Sequence, residues 1–537
     1  MTRRVIEKAG NWAEMRAAFR WPVPDCFNIA ERCCDSWAEK LPDKLAIRHL
    51  AEDGTVQDWS YGRLKQASDA LALALTARGV GPGDRVAVLL PQCPEVLVSH
   101  FAVQKMGAVI LPLFSAFGPD ALAYRLADSG AVAVVTDTEN LPKIMEIGPD
   151  LPDLATVLST EPAAAPVLSF QDVITNAHGT FRPVTTRAED PATLIYTSGT
   201  TGPPKGVLHA HRFLIGHLPS IETTHAGFPQ PGDCGWTPAD WAWIGGLMDM
   251  AIPCLYHGVP LISHRMRRFD ADAAFALIAA QQIRNLFLPP TALKMMRAAG
   301  VPGDVSVRSI SSGGESLGAE LLDWGRETLG APINEIYGQT ECNLVLASVE
   351  GAMRIRPGSM GQAVPGMDVA LIDEDGNPVP TGEMGEIAVR RGTPVMFLKY
   401  WNKPDQTAAK FAGDWMRTGD LARRDDDGYF TFVGRTDDVI NSAGYRIGPS
   451  EIENCLAGHA DVVMAAAVGM PDAGRGEVVK AFVVLRDGAS RAGLADDLTR
   501  LVRDRVSPHV APRAVEFVES LPMTATGKIM RRELRDG

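Results

Sequence analysis

Residues Tyr196–Gly206 read YTSGTTGPPKG, and the rest of the chain is best understood outward from this loop. Glycine, serine and threonine packed into one short run offer backbone N–H groups and small hydroxyls to phosphate oxygens without side-chain obstruction. Lys205 adds a mobile positive charge. The apolar run Ala192 to Ile195 before the loop reads as a strand and the stretch from Leu208 as a helix, which gives a strand, phosphate loop, helix order. Gly206 follows Lys205 where the common NTPase loop carries the Ser or Thr that holds Mg²⁺, so this is a different polyphosphate loop. Thr197, Ser198, Gly199, Thr200, Thr201, Gly202 and Lys205 are its candidate ligands, with a plain flexible loop as the competing explanation.

At 537 residues the chain is too long for a single core and divides into two or more domains. Its net charge of −13 is spread without a basic block, which argues against nucleic acid and anionic membrane surfaces as partners. Small anions must then be met by local positive sites. The N-terminal residues 1–21 place Trp12, Met15 and Phe19 at helical spacing and lack the apolar core of a signal peptide. No span reaches the length of a membrane helix. The 8 cysteines are scattered without a C-x-x-C pair, which indicates neither a zinc site nor a disulfide framework and fits a cytoplasmic protein with reduced thiols.

Strand-length apolar runs alternate with helix-length amphipathic stretches through the first two-thirds. Arg85 to Leu90, Val109 to Leu113 and Ala131 to Val135 read as strands, with helices at Glu95 to Lys105 and Leu122 to Asp128 between them. The rhythm returns with helices at Ala273 to Ala280, Ala292 to Ala298 and Ala319 to Thr328, and strands at Asn285 to Leu288, Arg308 to Ser311 and Ile333 to Tyr337. This is an α/β pattern of mostly parallel sheets flanked by helices, with ligands expected at the carboxyl ends of the strands. From about Gly358 short strands punctuated by Asp375-Gly376, Thr381-Gly382 and Asp427-Gly428 predict a small β-barrel-like unit of hairpins. After Gly434 a compact α+β piece follows, so the expected domains are 1–434 and 435–537.

Several short segments recur in order after the loop: Ser312-Gly313-Gly314-Glu315-Ser316, Tyr337-Gly338-Gln339-Thr340-Glu341, Arg417-Thr418-Gly419-Asp420, Gly434-Arg435-Thr436-Asp437-Asp438, Ser442-Ala443-Gly444-Tyr445-Arg446, and PMTATGK ending at Lys528. Each alone has an ordinary explanation: a strand-end turn, a core tyrosine, a helix start, a loop turn, a solvated terminal lysine. Together they resemble the adenylate-forming superfamily of acyl-CoA synthetases, luciferase and peptide-synthetase adenylation domains, over nearly the whole chain and most closely its medium-chain and acetyl-CoA synthetase branch.

The resemblance implies a set of roles. Gly313, Gly314 and Glu315 border the adenine and Tyr337 covers its other face, with Gly338 and Gln339 alongside. Thr340 donates to the α-phosphate and Glu341 holds Mg²⁺. Asp420 accepts the ribose hydroxyls, Arg435 reaches the ribose and Arg446 a phosphate. Lys528 is the cation that stabilises charge as a carboxylate attacks the α-phosphorus. Asp437 matches a hinge about which a mobile C-terminal domain turns between the two half-reactions. Ala443, Gly444 and Tyr445 match the lining of a pantetheine tunnel, and Arg475 a contact to the nucleotide end of CoA.

The reaction implied is acid plus ATP and CoA to acyl-CoA, AMP and pyrophosphate. His209, His211, His217 and His225 lack a hydrolase arrangement; His209 and His211 read as structural or pocket-lining. Acetate-specific relatives carry a tryptophan where Gly338 stands, so an acid larger than acetate is expected: short or medium-chain, branched or aryl. Trp241 and Trp243 in Trp236 to Met250 are the expected pocket walls. Two alternatives are delivery of the acyl group to a carrier protein and a non-catalytic nucleotide-binding regulator. The segment ending at Lys528 also resembles the site at which lysine acetyltransferases modify acyl-CoA synthetases, so an acetyltransferase and deacetylase are expected partners.

Overall fold

The computed structural model describes residues 4–7, 11–177, 179–197, 203–300, 305–314, 317–442, 445–472, 476–524 and 528–536. Among these residues the chain forms four sheets. The first is eight-stranded and centred on Arg85–Leu89, Val109–Pro112 and Ala131–Thr136, which pair in parallel. These runs are buried along almost their whole length, which is why they are nearly continuous in Val, Ile, Leu and Ala. The second sheet is nine-stranded, with a parallel centre that includes Asn285–Phe287, Ser309–Gly313 and Ile333–Gln339.

Helix ends follow local chemistry. Pro94, Pro119 and Pro290 sit in the first turn of their helices, where a missing N–H costs nothing. Asp270 caps Ala271–Ala280 by accepting from Ala273 N at 2.8 Å. Gly130, at φ 61°, ends Pro119–Ser129 in the left-handed conformation. Three helical segments, Glu31–Asp35, Tyr61–Thr76 and Pro94–Lys105, are joined by a buried ion cluster in which Lys105 Nζ meets Asp35 Oδ1 and Asp69 Oδ1, each at 2.7 Å. Removing one partner of such a cluster strands a buried charge, at a cost of about 3–5 kcal/mol.

One expectation fails at the loop itself. Lys205–Ala210 is a strand, antiparallel to Pro191–Thr197 with Thr197 opposite Lys205, and the helix begins only at Phe213. The segment after Lys205 is therefore an antiparallel strand and not the start of a helix. Antiparallel pairing wins because Val207, Leu208 and His209 are all buried, which a helix with one apolar stripe does not achieve.

The third sheet is five-stranded and antiparallel, built from Val369–Ile372, Met384–Arg390, Phe411–Ala412, Trp415–Arg424 and Phe430–Arg435. Gly376, Gly382 and Gly428 turn its hairpins at φ values of 88°, 87° and 84°, which a side chain resists. The fourth sheet, Ile440–Ser442, Tyr445–Ile447, Val462–Asp472, Gly476–Leu485 and Ala514–Val518, lies wholly beyond Asp438 in sequence and carries its own apolar core. No helix is long and apolar enough to cross a membrane among the described residues.

Candidate active site

Side chains alternate along a strand, so Tyr337 and Gln339 leave Ile333–Gln339 on the same face. Both reach one acceptor: the Tyr337 hydroxyl donates to Asp420 Oδ2 at 2.6 Å, and Gln339 Nε2 to the same oxygen at 2.6 Å. Asp420 lies opposite Arg435 in the register of the third sheet, and Arg435 Nη1 donates to Oδ1 at 3.2 Å. Burial, and next the Asp420 charge, push the Tyr337 phenol well above its ordinary pKa, so it stays a donor. Three motifs far apart in the chain thus converge on one carboxylate.

A second cluster joins the phosphate loop to Glu341. The Tyr400 hydroxyl donates to Glu341 Oε1 at 2.5 Å, and the Lys205 ammonium stands 5.2 Å from the centre of the Tyr400 ring. Phe397 N donates to the Glu341 carbonyl at 2.8 Å, fixing the 397–400 segment against it. Burial, then the Glu341 charge, raise the Tyr400 pKa. Nothing in the sequence marks Tyr400 as a site residue, because it sits in an unremarkable LKYWNKP run; only its pairing across Val207 brings it here.

The glycines divide into two kinds. Gly314, at φ 103°, has only the Trp243 ring within 4 Å of where a Cβ would stand, which leaves its backbone open to a flat ligand. Gly313 does not share that role: a Cβ there would fall 2.5 Å from the Ile336 carbonyl oxygen of the neighbouring strand. Gly338 departs further from expectation. Its Cβ would lie 1.5 Å from Asn343 O, at a bulge in the pairing with Asn343–Ala347. Glycine is a backbone necessity there, and the missing side chain does not open the acyl pocket.

Trp243 lies on Phe287, with ring centres 5.5 Å apart, and reaches Gly314, so it walls the site. Trp241 is 2% exposed and belongs to the main apolar core. Beside them runs a pair that no sequence motif announces. His217 Nε2 meets Asp249 Oδ1 at 2.5 Å, both buried, with Asp249 on a single π-helical turn, Leu247–Ala251. His209 is fully buried on Phe213, ring centres 4.9 Å apart, and burial pushes it down to about 3 with Arg212 adding to the shift, so it is neutral. His211 accepts from Ile29 N at 3.2 Å and is held down to about 4, mainly by burial, as a structural residue.

Lys528 is exposed on a tight hairpin: Thr524 N donates to its carbonyl at 2.8 Å and its own N–H to Thr524 Oγ1 at 3.0 Å. Among the described residues no hydrogen bond or ion pair joins its ammonium to Thr340, Glu341 or Asp420. Ser198, Gly199, Thr200, Thr201, Gly202, Glu315, Ala443, Gly444, Arg475 and the side chains of Tyr445 and Arg446 lie outside the described residues.

Glu335, two residues before Tyr337 on the same face, is 5% exposed, and burial raises it to about 8 against an opposing backbone contact from Leu317. The folded state thus keeps a proton that the unfolded chain releases near 4.5. Stability is fully present below that value and declines as pH rises toward 8. Glu335→Gln cannot ionise, so its melting temperature should stay level from about pH 5 to 9 where the parent's falls by several degrees. Parallel curves for the two proteins would show that Glu335 is not the group responsible.

Comparison with known proteins agrees with this geometry. The AMP-binding enzyme family profile matches residues 34–401, and the AMP-binding enzyme C-terminal domain profile residues 451–528. The human acyl-coenzyme A synthetase ACSM4, mitochondrial, is 37% identical over 539 aligned positions, covering 96% of this chain and 91% of the relative. The anthranilate CoA ligase AuaEII, solved with anthranoyl-AMP, superposes with a TM-score of 0.88 at 28% identity over 96% of this chain and 98% of that one. A benzoate CoA ligase from Burkholderia xenovorans LB400 superposes with a TM-score of 0.84 at 28% identity, over 95% and 100%. The hub at Asp420, the Lys205, Tyr400 and Glu341 cluster, and both domain profiles in order lead to one conclusion: this chain belongs to the AMP-binding enzyme family, as an acid–thiol ligase of its acyl-CoA synthetase branch.

Proposed function

We propose that this ligase activates a carboxylic acid larger than acetate with ATP and passes the acyl group to CoA. A carboxylate oxygen attacks the α-phosphorus as the bond to pyrophosphate breaks. The CoA sulfur then attacks the acyl carbon, AMP leaves, and the thiol proton goes to solvent. The observation that carries the reading is the convergence of Tyr337, Gln339 and Arg435 on Asp420, an oriented carboxylate suited to the two ribose hydroxyls. Gly314 admits the adenine, Thr340 binds the α-phosphate, and Lys205 with the loop Thr197 to Gly202 cradles the leaving phosphates. Mg²⁺ fits at Glu341, because Tyr400 occupies Oε1 and leaves Oε2 to a hard cation that prefers oxygen. When bound, the metal supplies charge neutralisation to the phosphates.

Trp243 borders the acid. Acid size is supported by the benzoate and anthranilate ligases among the structural neighbours. The functional division lies at 434/435 with its pivot at Asp437, which stands between the last strand of the third sheet and the first of the fourth. One face of the mobile part presents Lys528 to the adenylation step. The other, with Ala443, Gly444 and Tyr445 and with Arg446 and Arg475 nearby, takes CoA. Lys528 is exposed and so open to an acetyltransferase, whose product lacks the charge the first step uses. None of the 8 cysteines is in a disulfide, in keeping with a reducing compartment such as the cytoplasm, and fractionation decides this against the mitochondrial location of the human relative.

The test is acid-dependent AMP release, with and without CoA, over acetate, butyrate, octanoate and benzoate. AMP and acyl-CoA appearing together, fastest with an acid beyond acetate, is the expected result. Adenylate that never becomes thioester would move the acyl acceptor to a carrier protein, and no AMP with any acid would overturn the catalytic reading.

A further inference from the structure

The two faces of the C-terminal part reach the pivot by different routes. The hairpin Ile440–Ser442 and Tyr445–Ile447 follows Asp437 and Asp438 directly along the chain, so its placement relative to the pivot is covalent. Lys528 has no such continuity and returns to the pivot only in space. The return is made by the helix Arg531–Asp536 that begins three residues after it.

Arg531 Nη1 stands 3.3 Å from Asp438 Oδ2, a residue 93 positions earlier in the chain. The same guanidinium grips Glu453 with both faces of its fork, Nε to Oε1 at 3.0 Å and Nη2 to Oε2 at 2.7 Å, and Glu453 Oε1 accepts from Ala467 N at 2.8 Å. One turn on, Arg535 Nη1 donates to the Asp437 carbonyl at 3.1 Å and Nη2 meets Asp438 Oδ1 at 3.3 Å. Across the pivot, Arg435 Nε meets Asp437 Oδ1 at 3.0 Å while its Nη1 holds Asp420. Ion pairs at Asp420, Asp437 and Asp438, joined at the pivot by the backbone and the Asp437 carbonyl, thus run from the ribose carboxylate to the helix behind Lys528. Side chains of Arg531, Asp438 and Glu453 are only 18%, 16% and 13% exposed, so these contacts are less screened than ordinary surface pairs.

Apolar packing does a different job here. Leu534 joins Leu521, Ala466, Val468 and Phe482 in one cluster, against which Met523 and Ile529 of the Lys528 hairpin also pack. That cluster attaches hairpin and helix to the sheet. The two arginines add direct polar ties from the helix to Asp437 and Asp438 themselves.

We infer that Arg531, assisted by Arg535, is a positioning residue for adenylation, registering the Lys528 hairpin on the Asp437–Asp438 pivot so that rotation there delivers the lysine. This rests on the reading of Lys528 as the adenylation cation. A small misplacement of a group at a reacting centre costs about 10–100-fold.

The test compares the full-length parent with Arg531→Met, Lys528→Ala and the double variant in two assays: pyrophosphate release without CoA, and thioester formation from preformed acyl-adenylate and CoA. Arg531→Met should lose about 10–100-fold in the first and stay within about twofold in the second. In the double variant, loss of Arg531 should add nothing to the loss of Lys528, because both act through one group. Arg531→Lys, a point charge that cannot grip Glu453 with a fork, should recover only part of the rate. Unchanged pyrophosphate release in Arg531→Met, equal losses in both assays, or multiplying losses in the double variant each overturn the inference. If Arg531→Met does not fold, Arg535→Ala replaces it, with a loss of about threefold or more confined to the first assay, and parent-like rates overturn the inference. Lys528→Ala with normal pyrophosphate release would instead overturn the role of Lys528 itself.

Discussion

Lys528→Ala should lower acyl-adenylate formation by about 10²–10³ while leaving thioester formation from preformed acyl-adenylate within about twofold of the parent. The attacking carboxylate and the α-phosphate bring negative charge together, and a preorganised cation lowers that barrier without solvent reorganisation. The second half-reaction expels AMP from an acyl carbon and builds no comparable charge at phosphorus. Lys528 stands exposed on its hairpin, with no ion pair among the described residues to be broken by truncation, so folding should be indifferent to the change. Pyrophosphate release, acyl-CoA formation from adenylate, and melting temperature measured on one preparation check all three parts. Acetylated Lys528 should show the same split, reversed on deacetylation. Equal loss in both half-reactions would mean that Lys528 holds the C-terminal part together and does not serve one chemical step.

Gly338→Ala should fail at the level of the fold. The new Cβ would lie 1.5 Å from Asn343 O, 2.4 Å from Asn343 C and 3.0 Å from Leu344 Cα. All three are backbone atoms of the paired strand, with no flexible side chain to give way. Asn343 is itself held at φ 51° in the tight return from Gln339, so the connection has little freedom left. Relief requires parting the two strands beside Tyr337 and Gln339, which hold Asp420. A loss above about 4 kcal/mol is expected, in the range reserved for severe core disruption. Thermal unfolding and soluble yield measure it, with adenylation over the acid panel as the functional reading. A folded Gly338→Trp enzyme that now favours acetate would restore Gly338 as the pocket floor. Without that result, acid choice is better sought at Trp243, Phe287 and the buried His217 and Asp249 pair.

The helix pairs with their strands, the proline and glycine punctuation, and the hairpins turned at Gly376, Gly382 and Gly428 are all legible in the sequence, because each is set by a pattern a few residues long. The strand read at Ile333 to Tyr337 is there too, but only the structure carries it on to Gln339 and so puts Tyr337 and Gln339 on one face. The order of the motifs points to the family. Tertiary structure decides what no local period encodes. It makes Lys205–Ala210 a strand, since burial of successive residues between neighbouring strands overrides a helix-like stretch. It brings Tyr400 to Glu341, aligns Arg435 with Asp420, and sends Trp241 to the core while leaving Trp243 at the site. It also reverses the meaning of Gly338. A missing side chain looks like empty space in a sequence, yet its direction is set by the backbone it faces, and here that direction is filled by the carbonyl of Asn343.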